Sequence, residues 1–134
     1  MQIKFKLELP EKVGWNDFTG GHWRKWSKAN QLYKSFLIPQ IKSQLNSLSE
    51  TQKCNLSDFI DNYDDWPIEV YYRFIWRIRP LDWSNCCEKL VEDCFVKAGV
   101  FPDDSPKYIS GGVKSSEKGP KGQKGDWVEV IWTM

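Results

Sequence analysis

The sequence predicts a single compact domain of the α/β (α+β) class, a small mixed sheet carrying two main helices. Three patterns lead to it. Residues 2–9 and 68–79 alternate apolar and polar side chains at the two-residue period of a half-buried strand. Residues 27–48 and 85–98 space their apolar side chains as an amphipathic helix does. With 134 residues, 40% of them apolar and 28% charged, one domain spanning residues 1–134 can bury a core without staples. That composition excludes a disordered chain and a coiled coil.

In residues 2–9, Ile3, Phe5, Leu7 and Leu9 share one face while Lys4, Lys6 and Glu8 share the other, and Pro10 ends the run. Residues 11–23 read as a loop rich in Gly and Trp. The first helix, from about Ser27 to Leu48, has Leu32, Phe36, Leu37, Ile41, Leu45 and Leu48 as its stripe, and Pro39 predicts a kink or a split. Residues 49–66 have no clear period and read as an acidic loop. Along residues 68–79, Ile68, Val70, Tyr72, Phe74, Trp76 and Ile78 oppose Glu69, Tyr71, Arg73, Ile75, Arg77 and Arg79, a row of three arginines on one side of the sheet. The second helix, about Asn85 to Ala98, turns Cys86, Cys87, Leu90, Val91, Cys94, Phe95 and Ala98 inward. Asn85 reads as its N-cap with Glu88 three residues on, and Gly99 as its left-handed stop. Phe101 to Pro106 is a turn. Residues 107–113 and 127–133 read as hairpin arms, joined by a mobile Gly/Lys loop, KSSEKGPKGQKGD.

Charge is balanced in sum, at +1, but segregated. Residues 1–47 hold eight basic groups against three acids, residues 50–69 six acids against Lys53, and residues 107–125 five lysines against Glu117. Separate basic blocks can present a positive surface to a polyanion, or can simply be solvated lysines. Cys54, Cys86, Cys87 and Cys94 lack C-x-x-C spacing, and His22 is the lone histidine, so the thiols read as buried apolar groups of a reducing compartment. No run approaches the roughly 20 apolar residues of a membrane span, and MQIKFKLELP is not a secretory signal, so no membrane partner is expected. Trp15, Trp23 and Trp26, in or beside a basic loop, can stack on unpaired bases or pack beneath that loop.

Acidic residues supply the candidate chemistry. Phosphodiester hydrolysis needs an activated water, neutralised phosphate charge and help for the departing oxygen, and Mg²⁺ held by carboxylates supplies all three. Asp82 lies where the Arg-lined strand gives way to the second helix, and Asp103 and Asp104 lie just past that helix. Lys89, one turn into the helix, can reach a phosphate oxygen or pair with Asp93 at i,i+4.

Residues 81–108, LDWSNCCEKLVEDCFVKAGVFPDDSPKY, resemble the signature of the RusA-type Holliday junction resolvases, endonucleases of bacteria and their phages and prophages. The signature runs Asp-x-Asp-Asn, a helix with Lys and Asp, Lys-Ala-Gly, a short apolar run and Asp-Asp. Asp82, Asn85, Lys89, Asp93, Lys97-Ala98-Gly99 and Asp103-Asp104 take those places. Asn16 and Gly21 to Lys25 also resemble that family's approach to its first helix. Two features depart: Ser84 stands where the family has its second Asp, and one extra residue falls near Cys86-Cys87. The resemblance implies a RusA-like fold and a cytoplasmic, bacterial or phage-encoded homodimer that cuts four-way DNA junctions with Mg²⁺. Its implied metal ligands are Asp82, Asp104 and Asp103, its implied catalytic groups Asp82, Asp104 and Lys89, with Ser84 and Asn85 supporting them. Arg24, Lys25, Arg77, Arg79, Lys114, Lys118 and Lys121 are the expected DNA contacts. Because Ser84 lacks a carboxylate's charge, the alternative is a protein of the same fold that binds branched DNA with weakened cleavage.

Overall fold

The structure is a computed structural model, described over residues 2–20, 23–61, 68–101 and 109–133, with residues 109–112 described by backbone alone. Strands β1 (Gln2–Leu9) and β2 (Ile68–Trp76) form where alternation predicts them. Their apolar faces are buried together with Val128, Val130 and Trp132 of β4 (Asp126–Thr133). A fourth strand, β3 (Ile109–Lys118), completes one sheet in the order β1-β4-β2-β3. β4 runs antiparallel to both β1 and β2, whereas β3 runs parallel to β2.

That order corrects the expected hairpin. β3 and β4 are consecutive in the chain but lie on opposite sides of β2, which supplies hydrogen bonds to both. The expected mobile loop shrinks accordingly: its first part, Lys114 to Lys118, is strand, and the rest is a pinned turn. Gln123 donates to the carbonyls of Ile75 (3.1 Å) and Gly125 (2.9 Å), and the Gly119 N–H donates to Trp76 (2.8 Å).

One face of the sheet is covered by helices. α1 (Trp23–Asn46) buries Ala29, Asn30, Tyr33, Leu37 and Ile41. It starts earlier than expected and carries Leu32 and Phe36 on its exposed side. Pro39 sits inside it without splitting it. A proline cannot donate to the preceding turn, and the Gln40 side chain donates to the Phe36 carbonyl beside the gap (3.0 Å). Within the expected acidic loop stands a helix, α2 (Glu50–Asp61), whose single buried side chain is Leu56. α3 (Glu88–Lys97) packs Leu90, Val91, Cys94 and Phe95 onto the sheet, Phe95 meeting Phe5 and Trp132 at ring separations of 5.1 Å. Gly99 ends it at φ +84°, as expected.

The other face of the sheet carries Arg73, whose charge is paired with neighbouring carboxylates. Its guanidinium is held by Glu117 and, at 3.0 Å, by the buried Glu129, which also takes the Lys4 ammonium at 2.6 Å. Arg73's hydrogen bonds hold the Glu117 carboxyl below its ordinary value. β2 stops at Trp76, so Arg77 and Arg79 lie beyond the strand on an exposed turn. Among the described residues no helix is long and apolar enough to cross a membrane.

Candidate active site

Asp82 is placed by the turn that takes the chain from the end of β2 toward α3. Its carbonyl accepts the Asn85 N–H (2.8 Å), closing a 3-10 turn over Trp83–Asn85, and its exposed side chain caps nothing. The loop following β1 is stitched to this turn. Gly14 bridges Cys86 through the backbone, the Asn16 N–H donates to Asn85 Oδ1 (2.8 Å), and the Lys12 ammonium donates to the Arg79 carbonyl. A Cβ at position 14 would lie 2.5 Å from Asn85 Nδ2, so the close approach requires glycine there. Asn85 is therefore a clamp between two loops and not the expected helix cap; Cys87 occupies the N-cap of α3.

Across from this turn runs edge strand β3. Ser116 donates to the Leu81 carbonyl and accepts the Trp76 indole N–H (2.8 Å), which fixes the spacing of the two walls. Between them lies an open groove of about 700 Å³, with Pro80, Leu81, Asp82 and Trp83 on one wall and Val113 to Ser116 on the other. Asp82 is the acidic side chain in this lining.

Lys114 lies in the groove but does not reach outward as the expected DNA contact. Its side chain is 14% exposed, and its ammonium donates to the Cys86 carbonyl (2.9 Å) and to Glu88 Oε2 (2.6 Å), tying β3 to the start of α3. Lys89 pairs with Asp93 at 3.1 Å, and the other oxygen of Asp93 accepts from Asn30 Nδ2 (2.9 Å), so this pair borders α1. The neighbouring helical face carries Glu92, which accepts the Tyr72 hydroxyl (2.7 Å); burial raises both groups above their ordinary values. Ser84 is exposed on the 3-10 turn.

Four of the remaining basic candidates gather at one end of the sheet. Trp76 and Lys118 are paired in the parallel register, so the exposed Arg77, Arg79, Lys118 and Lys121 leave the sheet at the same end. Arg24 lies 5.5 Å over the ring of exposed Trp23. Lys25 lines a smaller cleft of about 320 Å³ with Lys12 and Lys28, and Lys12 joins that cleft to Arg79. Trp15 and Trp26 stack on each other at 5.6 Å with Phe18 edge-on, which places them in packing beneath the loop.

Asp103 and Asp104 lie outside the described residues, as does His22. Among the described residues no three His, Cys, Asp or Glu side chains gather as a metal cluster, and Asp82 is the described member of the expected ligand set. A hard divalent cation takes carboxylate oxygens and keeps waters, which the exposed Asp82 carboxylate fits. The expectation of four buried thiols holds for three: Cys54 is exposed on α2, while Cys86, Cys87 and Cys94 are buried, and burial pushes Cys87 and Cys94 up to about 12. Neither the models of known protein families nor the sequences of curated proteins give a match to this chain.

Sequence reasoning finds only part of the groove's second wall: it predicts a strand over residues 107–113, but paired to β4, and a loop over 114–118. Lys114 to Lys118 carry no alternating apolar side chains to announce a strand, and parallel pairing to partners 41–42 residues away leaves no local signature. Trp83 was likewise passed over, although an indole beside the candidate carboxylate is visible in the sequence.

Proposed function

We propose that the groove at Asp82 is the active site of a Mg²⁺-dependent endonuclease that resolves four-way DNA junctions in recombination and repair. The observation that supports this is one exposed carboxylate in an open groove whose walls run on in the chain to exposed basic residues, Arg77 and Arg79 before Pro80 and Lys118 and Lys121 after Ser116. Backbone phosphates meet such a rim by counterion release, independent of sequence. Asp82 would hold the cation, with Asp103 and Asp104 as the further ligands that the resemblance implies. Bound there, Mg²⁺ supplies an activated water and charge neutralisation at the scissile phosphate. In this reading Lys89, which lies outside the groove's lining, exchanges its Asp93 partner for a phosphate oxygen and stabilises that charge. A homodimer presents two such grooves to paired strands, and the setting is the cytoplasm of a bacterium or of a phage-infected cell.

Ser84 favours a second reading, a branched-DNA-binding protein with weakened cleavage, because a hydroxyl brings no charge to the cation. One experiment separates the two: labelled four-way junction, duplex and single-stranded DNA are each mixed with the protein, with and without Mg²⁺. Paired nicks that need Mg²⁺ and fall about 10²- to 10³-fold in rate with Asp82→Asn support the nuclease, as loss of several kcal/mol of charge stabilisation requires. Tight junction binding without nicks supports the second reading, and the absence of DNA binding refutes both.

A further inference from the structure

The fold treats its tryptophans unequally. Trp76 and Trp132 are 1% exposed in the core, whereas Trp83 is 62% exposed although it sits on a well-braced turn. The Cys86 N–H donates to the Trp83 carbonyl (3.2 Å), the Asn85 N–H to the Asp82 carbonyl, and Asn16 grips Asn85 from the neighbouring loop. An indole is the largest apolar side chain available, and leaving it in water on a rigid support forgoes burial that the core uses elsewhere. It stands next to Asp82 in the wall of the groove, and Val113, itself 64% exposed, lines the other wall.

We infer that Trp83 is a stacking platform for an unpaired nucleobase, holding the branch point of the DNA beside Asp82. This rests on the nuclease reading of the groove and adds to it the feature that tells branched from continuous duplex DNA. The occupant follows from the surroundings. A flat π-face on a wall that begins at Pro80, directly after the exposed Arg77 and Arg79 in the chain, suits a strand whose base enters the groove while its phosphates stay on those basic residues. Bases inside a duplex are already stacked on their neighbours and gain nothing from the indole; bases at the crossover of an opened junction have lost such a neighbour. Stacking of this kind is sequence-tolerant, so the platform selects DNA shape and leaves sequence unread.

The test compares wild type, Trp83→Ala and Trp83→Phe in EDTA, where no strand is cut, using a four-way junction with 2-aminopurine at the crossover and a duplex of the same sequence. Far-ultraviolet circular dichroism and thermal melting check that the variants are folded. Trp83→Ala is expected to weaken junction binding by about 5- to 150-fold, the range for one lost base stack. Duplex binding stays within about twofold, and Trp83→Phe keeps most of the junction affinity. The 2-aminopurine signal changes with wild type and Trp83→Phe and stays unchanged with Trp83→Ala. Equal losses on junction and duplex, or no loss on either, overturn the platform while leaving the nuclease reading standing. Loss of dimers in sedimentation as the sole effect of Trp83→Ala overturns it too, since the indole is then a contact between copies. A wild type that binds no DNA removes both readings.

Discussion

Gln40→Glu is a small change on paper and should cost the fold about 2–3 kcal/mol. β1 is an edge strand, and the outward backbone groups of Glu8 and Lys6 have no strand beyond them. α1 supplies the missing partners through two glutamines one turn apart. Gln40 accepts the Glu8 N–H (2.9 Å) and donates to the Glu8 carbonyl (3.0 Å). Gln44 accepts the Lys6 N–H (3.0 Å) and donates to the Lys6 carbonyl (2.8 Å). Two side-chain amides thus imitate a neighbouring strand, cover the edge, and lock α1 to the sheet. Glutamate keeps the length and nearly the same helix propensity, so the change isolates the amide donor. An oxygen would then face the carbonyls of both Glu8 and Phe36, losing two hydrogen bonds and stranding their acceptors. Gln44→Glu loses one donor in a more exposed place and should cost about 1 kcal/mol. Urea unfolding at pH 7, followed by tryptophan fluorescence, should show the midpoint fall by about 1 M for Gln40→Glu with the slope m unchanged. Because it is the ionised carboxylate that faces the two carbonyls, the penalty should be largest at neutral pH and shrink as pH falls toward the ordinary glutamate value of about 4.3, where the protonated group regains a donor. A Gln40→Glu midpoint within experimental error of wild type, or a larger loss from Gln44→Glu, would show that the amides are bystanders.

Lys114→Met removes the partner of Glu88 and a donor to the Cys86 carbonyl, so it should lower stability by about 1.5–3 kcal/mol while leaving the salt dependence of DNA binding unchanged. Arg79→Ala and Lys121→Ala should do the reverse, each flattening the plot of log affinity against log salt by about one unit, with stability preserved. In native protein, a maleimide should label Cys54 and spare Cys86, Cys87 and Cys94, and mass spectrometry after unfolding in urea should find all four labelled. Burial holds the Cys87 and Cys94 thiols at about 12 against an ordinary value of 9.0. The unfolded chain therefore loses these protons first: stability is complete below pH 9.0 and declines as pH climbs toward 12, which urea midpoints at pH 8 and pH 10.5 will register.

The two alternating runs and the stripe of α3 were legible because their information is local. A strand's side chains change sides at every residue and a helix's repeat near 3.6, so Ile3 to Leu9, Ile68 to Trp76 and Leu90 to Phe95 announce their buried faces without reference to partners. Gly99 marks a helix end for the same reason, since the left-handed turn belongs to the residue itself. Asp82 could be singled out from its position between a strand and a helix. α2 escaped notice because its acidic stretch buries Leu56 alone, and its helix is held by packing against residues distant in sequence.

Pairing could not be read in the same way. Whether residues 109–118 fold back on β4 or lie alongside β2 depends on which backbone edge is vacant after the other strands have assembled, and that vacancy is written in no segment taken singly. Everything that turns Asp82 into a candidate site follows from that outcome. It puts β3 opposite the 3-10 turn, aims Lys114 at Glu88 instead of at solvent, and leaves Trp83 standing at the rim of a groove. Residue types set what chemistry was possible, and long-range backbone pairing chose which of them meet.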